Sequence, residues 1–500
     1  MALKINKIIN LLFFLLIFKI VYIYSNEVVI LSFNSSYKRD SFYDISFIDN
    51  IQERNIYSII NIGQPEYKIK TILSFDNPYF SLIPNKYINK DNNYNEIYNF
   101  SNSITFKNVT CLNEYLLESK NDIIAEERFK LQSFDYQKNI SREMILNNMK
   151  IILGIINNNY KDNIYYLNIG FRILIDNTNN NKENYSFIYQ LKQKGIINSY
   201  YWCIFFDLGE NKNGKFINNP DKLFNATGKL IIGELPNIYE PKKFHKSQLL
   251  TIYSYGKDLV NTWAITFNSI YYYDKNNKLV KDSFYNVHID INNYLIQAPI
   301  SYYYHIKNDF FNEYLANNIC NIYTGNGFDS IFCFKSEHFT EDNLKQFPVL
   351  YFQNNELQYI FEFNYEDLFL ELDGKYWFLI TFPVFYELEE WFLGIIFLRK
   401  YNLIFNQDSK TISFYNPNLP IEKEEDNKSK SLNNNDNENK TILIIIIIIL
   451  CLISIGLGIY LGKMIYNKNI KKRFNELDDS FEYESKEYNE QIEQNNNNIN

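Results

Sequence analysis

Only five cysteines, four histidines, four tryptophans and four methionines occur in 500 residues, and that scarcity closes several routes. There is no C-x-x-C pair and no Cys/His cluster, so no metal site is expected. His245, His288, His305 and His338 form no set with a serine or cysteine that would support nucleophilic catalysis. The net charge of −8 is spread along the chain without a basic stripe, which argues against a nucleic-acid partner. Nothing in the sequence calls for a cofactor. What is abundant is tyrosine, 43 residues, and phenylalanine, 41 residues, together with Asn, Ile and Lys. That bias fits an AT-rich genome better than it fits any function.

Long uncharged runs lie at the two ends. Lys4 and Lys7 precede an apolar run from Ile8 to Phe18, the pattern of a secretory signal peptide over 1–25. Lys19 blurs the cleavage point and leaves an uncleaved anchor open. Ile442 to Leu461 carries no charge, and at 1.5 Å per residue it spans about 30 Å, one bilayer core. Lys463, Lys468, Lys471, Lys472 and Arg473 follow, which places that flank in the cytosol. The expectation is a single-pass type I protein of the secretory pathway or cell surface, with the lipid bilayer as a partner through 442–461. Residues 420–441 read as a polar stalk and 462–500 as a cytoplasmic tail.

Four of the five cysteines precede the span: Cys111, Cys203, Cys320 and Cys333. An even number in an exported domain suggests two disulfides, with three connectivities open. The short loop holding Gly325 and Gly327 favours Cys320–Cys333, which leaves Cys111–Cys203 by elimination. N-x-[ST] sequons begin at Asn34, Asn99, Asn108, Asn139, Asn184, Asn225, Asn427 and Asn439. They suit a glycoprotein, although chance matches are common in so Asn-rich a chain.

Between the ends, short β-branched and aromatic segments such as I-Y-S-I-I-N-I, Y-W-C-I-F-F-D-L and K-T-I-S-F-Y alternate with Asn, Asp, Gly and Pro. They predict an all-β fold with a few short helices, among them S-F-I-Y-Q-L-K-Q-K and F-F-N-E-Y-L-A-N-N. The two halves repeat one order of events. T-I-L-S-F-D-N-P-Y-F-S-L-I-P runs from Thr71 to Pro84, and V-H-I-D-I-N-N-Y-L-I-Q-A-P from Val287 to Pro299. Each is followed later by an apolar-apolar-Gly motif, ending at Gly170 in the first half and centred on Gly394 in the second.

These paired segments resemble the twin active-site loops of the pepsin-like aspartic proteases (peptidase A1). Other pieces of that family follow in order. N-I-Y-S-I-I-N-I-G-Q-P, with Gly63 and Pro65, resembles its opening hairpin, and I-Y-Q-L-K-Q-K-G-I-I its helix and turn. A-T-G-K-L-I-I-G-E-L is similar to its G-x-L-x-x-G hairpin through Gly228 and Gly233, and T-W-A-I-T-F-N-S-I to the strand that crosses to the second lobe. W-F-L-G-I-I-F-L-R-K-Y resembles its closing motif. The likeness covers about Ile56 to Pro417 and implies a bilobal double barrel, with an N-terminal lobe over 26–250, a C-terminal lobe over 251–419, and an interlobe cleft for an extended peptide or protein segment. An unrelated β-sandwich adhesin would give no reason for this order.

Aspartic proteolysis needs two carboxylates close enough to share one proton. The resemblance assigns one to Asp290. The other falls on Ser74 when counted from Gly63, and on Asp76 when counted back from Leu82. Neither loop keeps the family's D-T-G: Ile291, Asn292 and Asn293 follow Asp290, and Asn77 and Pro78 follow Asp76. Tyr115 is the candidate flap tyrosine, without the flap's glycines, and Ile395 stands where the family has Asp after Leu-Gly. Three readings follow: a catalytically impaired, peptide-binding relative; a working acid endopeptidase using Asp76 and Asp290; and a surface glycoprotein with a vestigial cleft.

Overall fold

The computed structural model describes residues 27–35, 56–75, 78–84, 102–109, 123–153, 165–173, 185–207, 226–254, 262–325, 327–384 and 390–421, with 460, 463, 464, 467, 468 and 470. The expected leader at 1–25, the apolar run 442–461 except Tyr460, the expected stalk beyond Ile421, Asp76, Cys111, Tyr115, and the sequons at Asn99, Asn184, Asn225, Asn427 and Asn439 lie outside these. No helix among the described residues is long and apolar enough to cross a membrane. The chain divides into two compact units, Met1–Pro420 and Ile421–Asn500, and all that follows concerns the first.

That unit is two β-lobes. The first holds β1 (Glu27–Asn34), β2 (Tyr57–Ile62), β3 (Tyr67–Ser74), β4 (Phe80–Pro84), β5 (Lys107–Val109), β6 (Ile123–Asp135), β7 (Ile140–Leu153), β8 (Tyr165–Gly170), β9 (Tyr201–Phe206), β10 (Thr227–Ile232) and β11 (Leu249–Tyr253). The second holds β12 (Ala264–Tyr273), β13 (Leu279–Ile289), β14 (Ile296–Gln297), β15 (Cys320–Gly325), β16 (Phe328–Phe334), β17 (Leu350–Asn354), β18 (Tyr359–Phe363), β19 (Phe369–Leu372), β20 (Lys375–Pro383) and β21 (Trp391–Leu393). The closing strands β22 (Ile404–Asn406) and β23 (Thr411–Tyr415) return to the first sheet, β22 on β9 and β23 on β11. The last two strands of this unit therefore tie the lobes together.

Local sequence explains the elements. In β12, Ile270 and Tyr272 are buried while Tyr271 and Tyr273 face outward, the alternation of a one-sided sheet. In β20, Tyr376 to Pro383 is buried throughout, which fits a strand covered on both faces. The helix expected before Cys320 begins earlier, at Ile300, because Pro299 sits at its N-cap with a φ already suited to a helix start. It continues through a π-turn into Asn312–Ala316.

Cys320 and Cys333 pair directly across β15 and β16 and form the expected disulfide. The other expectation, Cys111–Cys203, is corrected. Cys203 is a free thiol with no exposure, 3.3 Å from the Tyr239 hydroxyl and sealed among Val28, Ile231 and Ile404. It points into a core cluster, where burial pushes its thiol up to about 12.

Candidate functional site

The two loops that the sequence paired are equivalent in register. β3 runs parallel to β8, with Leu73 opposite Ile169 and Ser74 opposite Gly170. β13 runs parallel to β21, with Ile289 opposite Leu393, and Asp290 N donates to Leu393 O at 3.1 Å. After each loop the chain returns antiparallel to the same partner, Phe80 opposite Ile169 and Ile296 opposite Leu393. Phe80 thus follows Ser74, and Ile296 follows Asp290, by the same number of positions. Ser74 holds in the first lobe the place Asp290 holds in the second. The count back from Leu82 goes astray because Phe80, not Leu82, matches Ile296. Asp76 falls two positions later, level with Asn292.

The loops meet. Asn292 Nδ2 donates to Ser74 Oγ at 3.5 Å, across 218 positions of sequence. Asp290 Oδ1 accepts from Asn292 N at 2.8 Å, an Asx-turn that occupies one carboxylate oxygen with its own loop. Asn293 Oδ1 accepts from Leu295 N at 3.1 Å, and Ile395 N donates to Asn293 O at 2.8 Å. Ser74 is buried and Asp290 half-buried. The pair at equivalent register is one hydroxyl and one carboxylate. A serine hydroxyl does not ionise where carboxylates share a proton, so this pair has no split acid and base.

The positions after the two site residues have changed character together. Phe75 and Ile291, where the resemblance expects threonines, are both buried. Phe75 packs edge-on against Trp202 at 5.2 Å and Phe405 at 5.5 Å. Trp202 stacks on Phe405 at 4.2 Å, and Trp263 Nε1 donates to Phe171 O at 2.6 Å, so residues of both lobes share one aromatic floor. Aromatic packing holds the first of these loops where a hydroxyl would otherwise do so.

His288, which the sequence left in no set, belongs to this neighbourhood. It precedes Asp290 by two positions, next to the last residue of β13. It is 6 % exposed, stacks on Phe392 at 4.9 Å, bonds Thr262 Oγ1 through Nδ1 at 2.9 Å, and lies 3.4 Å from Glu390 through Nε2. Burial holds its pKa below 6.5, against an opposing pull from Glu390. The unfolded state therefore takes up a proton first as pH falls. Stability is full above about pH 6.5 and is lost as pH falls through the lower folded value. His288→Gln should flatten that decline, which urea midpoints compared at neutral and mildly acidic pH would show. An unchanged slope would mean that other groups dominate the acid response.

Tyr115 falls in the connection between β5 and β6, whose ends pair with Asn108 opposite Ala125. Among the sequons, Asn34, Asn108 and Asn139 are exposed. Arg399, eight positions past Trp391, is buried near Tyr294, and burial lowers its guanidinium to about 10.

No family model and no curated protein matches the sequence. Solved structures do. The crystal structure of basic 7S globulin from soybean superimposes with a TM-score of 0.51 at 9 % identity, covering 78 % of this chain and 94 % of that one. Conglutin gamma, a basic 7S globulin from lupine seeds, gives 0.49 at 10 % identity with the same coverage. Likeness at so low an identity speaks to fold alone. The chain has a mostly β, two-lobed, pepsin-like fold, and the loops described above lie at equivalent places in its two halves.

Proposed function

We propose that the chain is a catalytically impaired pepsin-like protein whose interlobe cleft holds an extended peptide or protein segment by strand-like hydrogen bonds without cutting it. The observation that carries this is the register of Ser74 with Asp290, which leaves a single carboxylate where the reaction needs two. The buried Phe75 and Ile291 support it, because no hydroxyl from those positions can orient a dyad. On this reading the apolar span 442–461 anchors the protein, with the two-lobed domain on the secretory or cell-surface side.

The test is an unfolded protein substrate incubated with the full-length chain across acidic pH. Turnover should fall at least about 10⁴-fold short of a working dyad, and Ser74→Asp alone should not restore it, since the loop hydroxyls are still missing. Labelled extended peptides should nevertheless bind saturably. Pepstatin-sensitive cleavage that disappears in Asp290→Asn would establish instead the acid endopeptidase, with Asp76 as the second carboxylate. Absence of both cleavage and binding would leave a glycoprotein with a vestigial cleft.

A further inference from the structure

The second lobe presents an outward sheet face whose register lines up one row of four side chains. Lys281 of β13, Tyr271 of β12, Tyr351 of β17 and Glu362 of β18 lie directly opposite one another in succession. Tyr271 and Tyr351 stack with centroids 5.0 Å apart and planes 23° from parallel. Tyr273, Leu279 and Ile360 share the face and are 48 %, 45 % and 43 % exposed. No ion pair among the described residues uses Lys281 or Glu362.

Two further observations narrow what this face can do. The edge of β18 is capped at Glu362: its N–H donates to the Tyr401 hydroxyl at 2.8 Å, and that hydroxyl donates back to its carbonyl at 3.0 Å. Lys400 Nζ donates to the same carbonyl at 2.7 Å. Strand addition at that point is blocked, so association there would use the face and not the edge. In addition, no N-x-[ST] sequon lies between Asn225 and Asn427, so no sequon of the second lobe could bring a glycan to this face.

We propose that the face is a contact between two copies of this chain, related by a two-fold axis parallel to the strands. The row reads positive, aromatic, aromatic, negative. A two-fold in the contact plane lays Lys281 of one copy against Glu362 of the other, twice, and Tyr271 against Tyr351. A row with like charges at its ends would repel its own copy in that arrangement. At about 4.8 Å per step the row spans about 14 Å from the first strand to the fourth, a narrow contact beside a standard stable interface of roughly 800 Å² per partner. The dimer is accordingly weak, with a dissociation constant on the order of 10 μM.

Sedimentation equilibrium of the full-length chain in mild detergent, over about 1 to 100 μM, tests this. The wild type should pass from monomer to dimer. Lys281→Glu and Glu362→Lys should each weaken association at least about tenfold. An equimolar mixture of the two single variants should associate again, because both reciprocal contacts become complementary, and the double variant should recover wild-type behaviour. Rescue on mixing also shows that each variant folds. A wild type that stays monomeric throughout, or a dimer that neither substitution weakens, overturns the proposal. So does a mixture that fails to associate while circular dichroism shows both variants folded. A face that serves a different protein would leave the wild type monomeric, which is the first of these results.

Discussion

Gly394→Ala should prevent the chain from folding. A Cβ built at Gly394 lies 1.8 Å from Asn293 O, 2.6 Å from Asn293 C and 2.8 Å from Leu295 O. All three are backbone atoms of the Asp290 loop, so no side-chain rotation relieves the contact. Relief requires the loop to retreat by more than about 1 Å from β21. That would break the bonds from Asp290 N to Leu393 O and from Ile395 N to Asn293 O, and would leave buried peptide groups unpaired. The combined loss should exceed about 4 kcal/mol, against a total stability of about 5–15 kcal/mol for an ordinary domain. Gly374→Ala is the control. That glycine has φ +69° with no atom within 4 Å of its built Cβ, so alanine there should cost about 1–2 kcal/mol of backbone strain and nothing more. Soluble yield and urea midpoints of the two variants decide the matter. If Gly394→Ala folds with a loss no larger than its control, the close approach of loop and strand is not what fixes the site.

The same glycine shows what the sequence made legible. The apolar-apolar-Gly motif at Gly394, and the loop it embraces, could be read because close backbone approach leaves glycine little competition. Alternation and turn residues likewise revealed a β fold built twice. The place of the first carboxylate was harder. Leu82-Ile83-Pro84 imitates Leu295-Ile296-Pro299, but strand register depends on which residues face each other across β8 and β21, and a two-residue slip leaves the same apolar text on the same face. His288 was missed for a related reason. Its partners Thr262 and Glu390 lie 26 and 102 positions away, joined only by the pairing of β12, β13 and β21. Cys203 misled because parity counts cysteines without regard to where their side chains point. The strand β9 turns this one inward, beneath Tyr239.

Trp202→Ala should be the most destabilising side-chain truncation in the aromatic floor beneath the two loops. Trp202 has no exposure and touches Phe75 from the first loop, Phe171 at 4.7 Å after β8, Phe405 of β22, and Trp263 at 5.9 Å at the crossing into the second lobe. Its removal opens a cavity where four chain segments converge, a loss of about 3–5 kcal/mol, with further pairwise aromatic contributions of about 0.5–1.5 kcal/mol. Trp202→Phe retains most of the packing and removes an indole N–H that has no partner among the described residues, so it should cost much less. Phe75→Thr is the informative companion, because it restores the residue type expected after a catalytic carboxylate. It should lose about 3 kcal/mol and gain no proteolytic activity. Combined with Trp202→Ala, its effect should fall short of additivity by about 1 kcal/mol, since both changes empty one cavity. That outcome would mean that the position after Ser74 has been absorbed into the core, so that regaining the dyad geometry would cost stability as well as require a carboxylate. A Phe75→Thr protein within about 0.5 kcal/mol of wild type would contradict this, and the first loop would then be held by its polar contacts to Asn292 and not by the aromatic floor.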